Sequence, residues 1–208
     1  MSADQFSRAL LGLLLIAAFA LGACSNTPEV TQPADVMPDE FAGAPGWVVH
    51  GCGAIERDDD DPDWICGVGS MGGTRNIALA RTTAVARGRT EIAGTLEVRV
   101  IAMLKDYAAT TTGGEEFGHA ATDEQHRVDV SRQVTDFTLA GTELRETWIS
   151  RNGTLYALVV LDVARFLNSV GEMEQLAENL RKAIQQRARK SFKELRRETV
   201  KGAAEGAW

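Results

Sequence analysis

Two β-rich runs, Thr142 to Ser150 and Thr154 to Asp162, stand on either side of Asn152-Gly153. That pair adopts positive φ readily and predicts a type I′ hairpin turn. The second run contains Leu155-Tyr156-Ala157-Leu158-Val159-Val160-Leu161, apolar on both faces. It is expected as a central, covered strand. The hairpin therefore sets the middle of an antiparallel sheet, and the remaining elements must pack around it.

Trp47-Val48-Val49 reads as an opening strand, and Trp64 to Ser70 as a short strand ending in glycines. From Thr74 or Arg75 the pattern turns helical, with Ile77, Ala80, Ala84, Arg87 or Gly88, Ile92 and Leu96 at three- and four-residue spacing. Small residues dominate one face of this helix, so it can approach a sheet closely. Near Leu96 the period changes to two, which predicts a strand from Glu97 to about Ala109; a continued helix is the competing reading. Residues 110–118 read as a polar loop. Asp123 to Leu139 reads as a helix with Val130, Val134 and Phe137 on one face, though Val128, Val130 and Val134 also fit a strand. Gly171 to Val200 reads as one long helix with an apolar stripe of Met173, Leu176, Leu180, Ile184 and Leu195.

An apolar run from Ala9 to Ala20 precedes Leu21-Gly22-Ala23-Cys24. A helix over that run covers about 18 Å, short of the roughly 30 Å of a bilayer core. Residues 1–23 therefore read as a removable signal and not a span. Small residues before a Cys mark a lipoprotein signal: cleavage before Cys24, with acyl chains on its thiol and its new amine. Such an anchor exceeds the two-signal requirement for stable membrane attachment. Ser25-Asn26 carries no Asp at the second position, which favours the outer membrane, facing the periplasm. Residues 24–44 hold Pro28, Pro33 and Pro38 among acids and small residues and read as a tether.

Cys52 and Cys66 remain after lipidation, and an even pair in an oxidising compartment reads as a disulfide. The segment between them includes Asp58-Asp59-Asp60-Asp61, which lacks the ligand spacing of a calcium loop and reads as solvated. The formal charge is −7, which argues against a nucleic-acid partner. Residues 171–201 carry nine bases against five acids. Arg187, Arg189, Lys190 and Lys193 are the candidate interaction residues on that helix, either for a protein partner or for peptidoglycan.

Pro45-Gly46-Trp47, Gly67-Val68-Gly69-Ser70, Ala78 to Arg87, Leu144-Arg145-Glu146-Thr147-Trp148 and Tyr156 to Asp162 occur in that order. Over about residues 45–165 the chain resembles the Lpp-twenty lipoprotein family. That family includes flagellar basal-disk lipoproteins and is similar to the N-terminal domain of flagellar assembly protein T. The resemblance implies a small α+β domain in the outer membrane, often near the flagellar motor, and brings no catalytic residues. The acidic loop and the basic C-terminal helix depart from the family pattern.

Gly67-x-Gly69-x-x-Gly72 matches a dinucleotide fingerprint formally, but the strand before it is short and Glu91 falls inside the expected helix. The glycines are expected to make a tight strand-to-helix turn instead. No nucleophile-elbow, phosphate-loop or zinc-protease motif occurs, and His50, His119 and His126 are not at ligand spacing. No cofactor or metal is expected. The expectation is a single α+β domain, residues 45–168, with an antiparallel sheet, a central hairpin and helices packed on one face. A long basic helix, residues 169–208, follows. The expected role is a non-catalytic envelope scaffold that self-associates or holds another envelope protein.

Overall fold

In the computed structural model, which describes residues 39–55, 63–111 and 120–205, the two β-rich runs become β2 (Glu143–Ile149) and β3 (Leu155–Asp162). Their connection departs from the expected type I′ turn. Gly153 has φ 86°, while no described non-glycine residue has positive φ. The Gly153 N–H donates to the Ser150 carbonyl at 2.9 Å, closing a β-turn that ends in the left-handed glycine. Asn152 keeps negative φ because its Oδ1 serves the turn, accepting from the Thr154 N–H at 3.0 Å.

β1 (Trp64–Met71) completes a three-stranded antiparallel sheet in the order β1-β3-β2, so β3 is central as expected. Pairing sorts the side chains onto two faces. Ile65 opposes Leu161, Gly67 opposes Val159 and Gly69 opposes Ala157; all of these face the helices. Trp64, Cys66 and Val68 share the other face with Val160, Leu158 and Tyr156.

α1 (Gly46–His50) replaces the expected opening strand. Both Trp47 and Val48 pack on the Trp64–Cys66–Leu158 cluster. An extended chain would send these neighbours to opposite sides, and a helical turn lets both reach one face. The end of the expected tether is also structured. Asp39–Phe41 forms a 3-10 turn, with Asp39 paired to Arg151 at 2.7 Å and Phe41 edge-on to Tyr156.

α2 (Ile77–Thr111) is a single helix of 35 residues, so the strand expected from Glu97 does not exist. Ile92, Leu96, Val100, Met103 and Leu104 are buried, whereas Val98 is 66% exposed. Only the helical period separates Val98 from Leu96 and Val100. The Asn76 Oδ1 caps the helix by accepting from the Leu79 N–H at 3.1 Å. α2 lies directly on β1. A Cβ built on Gly67 would stand 2.2 Å from the Gly88 carbonyl oxygen, and one on Gly69 would stand 2.0 Å from that of Ala84. These two glycines therefore lie within the strand and allow close approach of the helix. The expected strand-to-helix turn is made by residues 72–76, with Gly73 at φ 76°.

α3 (Ala120–Leu139) confirms the helical reading of that stretch, burying Val130 and Val134. Phe137 is exposed, contrary to expectation, and Thr138 takes the inward place with its hydroxyl donating to the Val134 carbonyl. The expected long C-terminal helix is present as α5 (Glu178–Glu205), but it starts later than Gly171, because a separate helix, α4 (Val163–Glu172), and a corner precede it. Met173 and Leu176 in the corner are buried, and the Arg181 guanidinium donates to the Met173 carbonyl at 3.1 Å. Phe166 of α4 and Phe192 of α5 meet edge to face at 5.1 Å. Residues Met37–Trp208 form one compact unit, so α5 belongs to the domain and its apolar stripe packs into the domain's own core.

Candidate interaction surfaces

Cys24, the expected lipidation residue, lies outside the described residues, as do the aspartates of the acidic loop. No helix among the described residues is long and apolar enough to cross a membrane. The sulfurs of Cys52 and Cys66 lie at bonding distance, compatible with the expected disulfide, with Cα atoms 6.0 Å apart. The bridge holds the 3-10 turn Gly51–Ala54 against β1.

The four candidate cations of α5 are placed differently. Arg187 is half-buried and used internally: its guanidinium donates to Asp106 at 2.6 Å and to the Thr110 hydroxyl at 3.0 Å, and stacks 5.4 Å from the Tyr107 ring. Lys190 is exposed and lies 3.9 Å from Glu194. Arg189 and Lys193 are exposed and carry no ion pair among the described residues. Arg197 shares their four-residue spacing and exposure, so a row of three cations follows the outer face of α5.

The two edges of the sheet differ. On the β1 edge, the Val68 N–H donates to the Glu91 carboxylate at 2.7 Å, and the Ser70 carbonyl accepts from Arg87 at 2.6 Å. Two α2 side chains one turn apart thus occupy backbone groups that would otherwise pair with another strand. Partial burial pushes the Glu91 carboxyl above its usual pKa, an effect that outweighs the Val68 hydrogen bond. Glu91 also borders a cavity of about 210 Å³ between Trp64, Cys66, Phe192 and Arg196.

The β2 edge has no such covering among the described residues. All of β2 except the half-buried Trp148 is exposed, including Leu144 and Ile149. Leu144, Thr147 and Ile149 oppose Val159, Ala157 and Leu155, so they lie on the helix side, beyond the reach of α2. A bulge at Arg145 interrupts the pairing. The Arg145 guanidinium sits 4.8 Å from the Trp64 ring, and the Glu146 carboxylate accepts from the Trp47 indole at 3.0 Å.

Sequence reasoning missed the edge contacts of Arg87 and Glu91. Their four-residue spacing is the only trace they leave, and solvated helix faces show the same spacing. Among the described residues no group of three or more His, Cys, Asp or Glu side chains is arranged to hold a metal ion. Comparison with known proteins found no matching family model and no matching curated sequence.

Proposed function

We propose that this chain is a lipid-anchored, non-catalytic outer-membrane protein that scaffolds an envelope assembly through self-association. The observation that carries this reading is the contrast between the sheet edges: Glu91 and Arg87 occupy the Val68 N–H and the Ser70 carbonyl of β1, while β2 has no such covering among the described residues and exposes Leu144 and Ile149. Leu21-Gly22-Ala23-Cys24 supplies the address. The resemblance to the Lpp-twenty family points to the flagellar motor disk as the assembly.

Amine-reactive cross-linking in intact cells tests the reading. A self-associating scaffold yields a cross-linked homodimer or larger species, and Cys24→Ser lowers that yield and frees the chain from membranes. A single monomer band in the wild type rejects it. A fluorescent fusion tests the flagellar part: foci at flagellar bases support it, and an even outline removes it.

A second reading rests on Arg189, Lys193 and Arg197, the exposed cations of α5. They suit an anionic envelope polymer such as peptidoglycan. The full chain should then sediment with purified sacculi at low salt, and Arg189→Ser with Lys193→Ser should abolish this. Raised ionic strength should weaken it, because exposed charges are screened beyond about 8 Å at physiological salt.

A further inference from the structure

We infer that β2 pairs with β2 of a second copy, antiparallel about a two-fold axis between Arg145 and Glu146. This rests on the scaffold reading above and names its interface.

The argument begins with the order β1-β3-β2, which leaves two edges. Side chains of α2 occupy the Val68 N–H and the Ser70 carbonyl on the β1 edge, whereas among the described residues no side chain is bonded to the backbone edge of β2, which makes β2 the more open edge for strand pairing. β2 also exposes an apolar pair, Leu144 at 40% and Ile149 at 49%, on the same face as Thr147. Adding a strand beside β2 would bury its open edge and bring the neighbouring strand's side chains against that row.

Charge selects the occupant. β2 reads Glu143-Leu144-Arg145-Glu146-Thr147-Trp148-Ile149. With the two-fold between Arg145 and Glu146, each Arg145 faces a Glu146 of the other copy and each Leu144 faces a Thr147. Shifting the axis onto Glu146 sets two carboxylates opposite each other, and onto Arg145 sets two guanidinium groups opposite each other. Both shifts are unfavourable, since like charges directly across a strand pair destabilise it. Bulges and charged residues normally discourage edge pairing. Here the charges are self-complementary and the bulge is common to both copies, so they discourage other strands while admitting an identical one. Such an interface is isologous and closes at two copies, giving a continuous sheet of six strands.

Charge reversal in the detergent-extracted full chain tests this, with mass read by sedimentation. The wild type should be dimeric. Arg145→Glu alone and Glu146→Arg alone each set like charges across the axis in both pairs, and each should weaken dimerisation at least about tenfold. Mixing the two variants restores both opposite-charge pairs, and the mixture should regain the wild-type mass. Ile149→Lys, at an exposed position remote from the Trp47 and Trp64 contacts, should weaken the dimer while leaving the melting temperature of the monomer unchanged. A wild type that remains associated in all three variants overturns the interface and leaves the scaffold reading standing. Failure of the mixture to re-associate also overturns it. A wild type that is monomeric at envelope concentrations overturns both.

Discussion

Gly69 and Gly94 occupy opposite situations on the same pair of elements. A Cβ on Gly69 would meet the Ala84 carbonyl oxygen at 2.0 Å, a backbone atom that cannot turn aside. Gly94 lies in the interior of α2 with nothing within 4 Å of its Cβ position. Gly69→Ala should therefore cost about 3 kcal/mol, as overpacking does when the backbone must shift. Gly94→Ala should stabilise the protein by about 0.5–1 kcal/mol, since it removes the helical penalty of glycine. Urea unfolding of both variants measures the contrast, and equal effects would place α2 away from β1. Glu91 offers a second test at this scale. Its folded pKa lies above the ordinary 4.5, so the folded state holds the proton more tightly than the unfolded one. Its contribution is fully present below that ordinary value and is lost as pH rises through the folded pKa. Glu91→Gln keeps an acceptor for the Val68 N–H and carries no charge. The variant should therefore lose this part of the pH dependence and exceed the wild type in stability at neutral pH.

α2 shows where the sequence was legible at the scale of an element and where it misled. Leu96, Val100 and Leu104 are four residues apart, and a step of four fits both a period of two and a period near 3.6. The expected strand took its support from those shared positions. Val98 and Ala102 separate the periods, and both are exposed, while Met103 is buried beside Leu104. The hairpin was legible because its signals are local: turn residues between two β-rich runs, one of them apolar throughout. The corner between α4 and α5 was not, because Glu172 to Glu178 contains no Gly or Pro and the break comes from burying Met173 and Leu176. The stripe of α5 was read correctly as apolar, but its partner, the core beneath α2 and α4, is a tertiary fact. Substitution checks the helix over this disputed stretch. Val98→Glu should change stability by less than about 0.5 kcal/mol. Leu96→Ala should cost about 3 kcal/mol, through lost burial and the cavity left behind. A large loss from Val98→Glu would favour the strand.

At the scale of the whole molecule the sheet is covered unequally. Its helix side is buried under a core drawn from α2, α3, α4 and α5. Its other side is covered by residues 45–55, which contribute Trp47, Val48, Cys52 and Ile55. That layer is one helical turn and one 3-10 turn, too small to hold itself by apolar contact. The Trp47–Glu146 hydrogen bond fixes it to β2 and the Cys52–Cys66 bridge fixes it to β1. The bridge spans a sequence separation of 14 residues, a loop length at which cross-linking contributes on the order of 3 kcal/mol. Cys52→Ala with Cys66→Ala should remove that contribution, and the loss should fall on the thin layer first. Tryptophan emission, to which Trp47, Trp64 and Trp148 on this side of the sheet contribute together with Trp208, should then shift at lower urea than the far-ultraviolet helical signal, whereas the oxidised wild type should lose both together. Coincident transitions in the cysteine-free variant would mean that the two sides of the sheet unfold as one unit without the bridge. The contacts of Trp47 with Glu146 and with the Trp64–Leu158 cluster would then be sufficient to hold the layer.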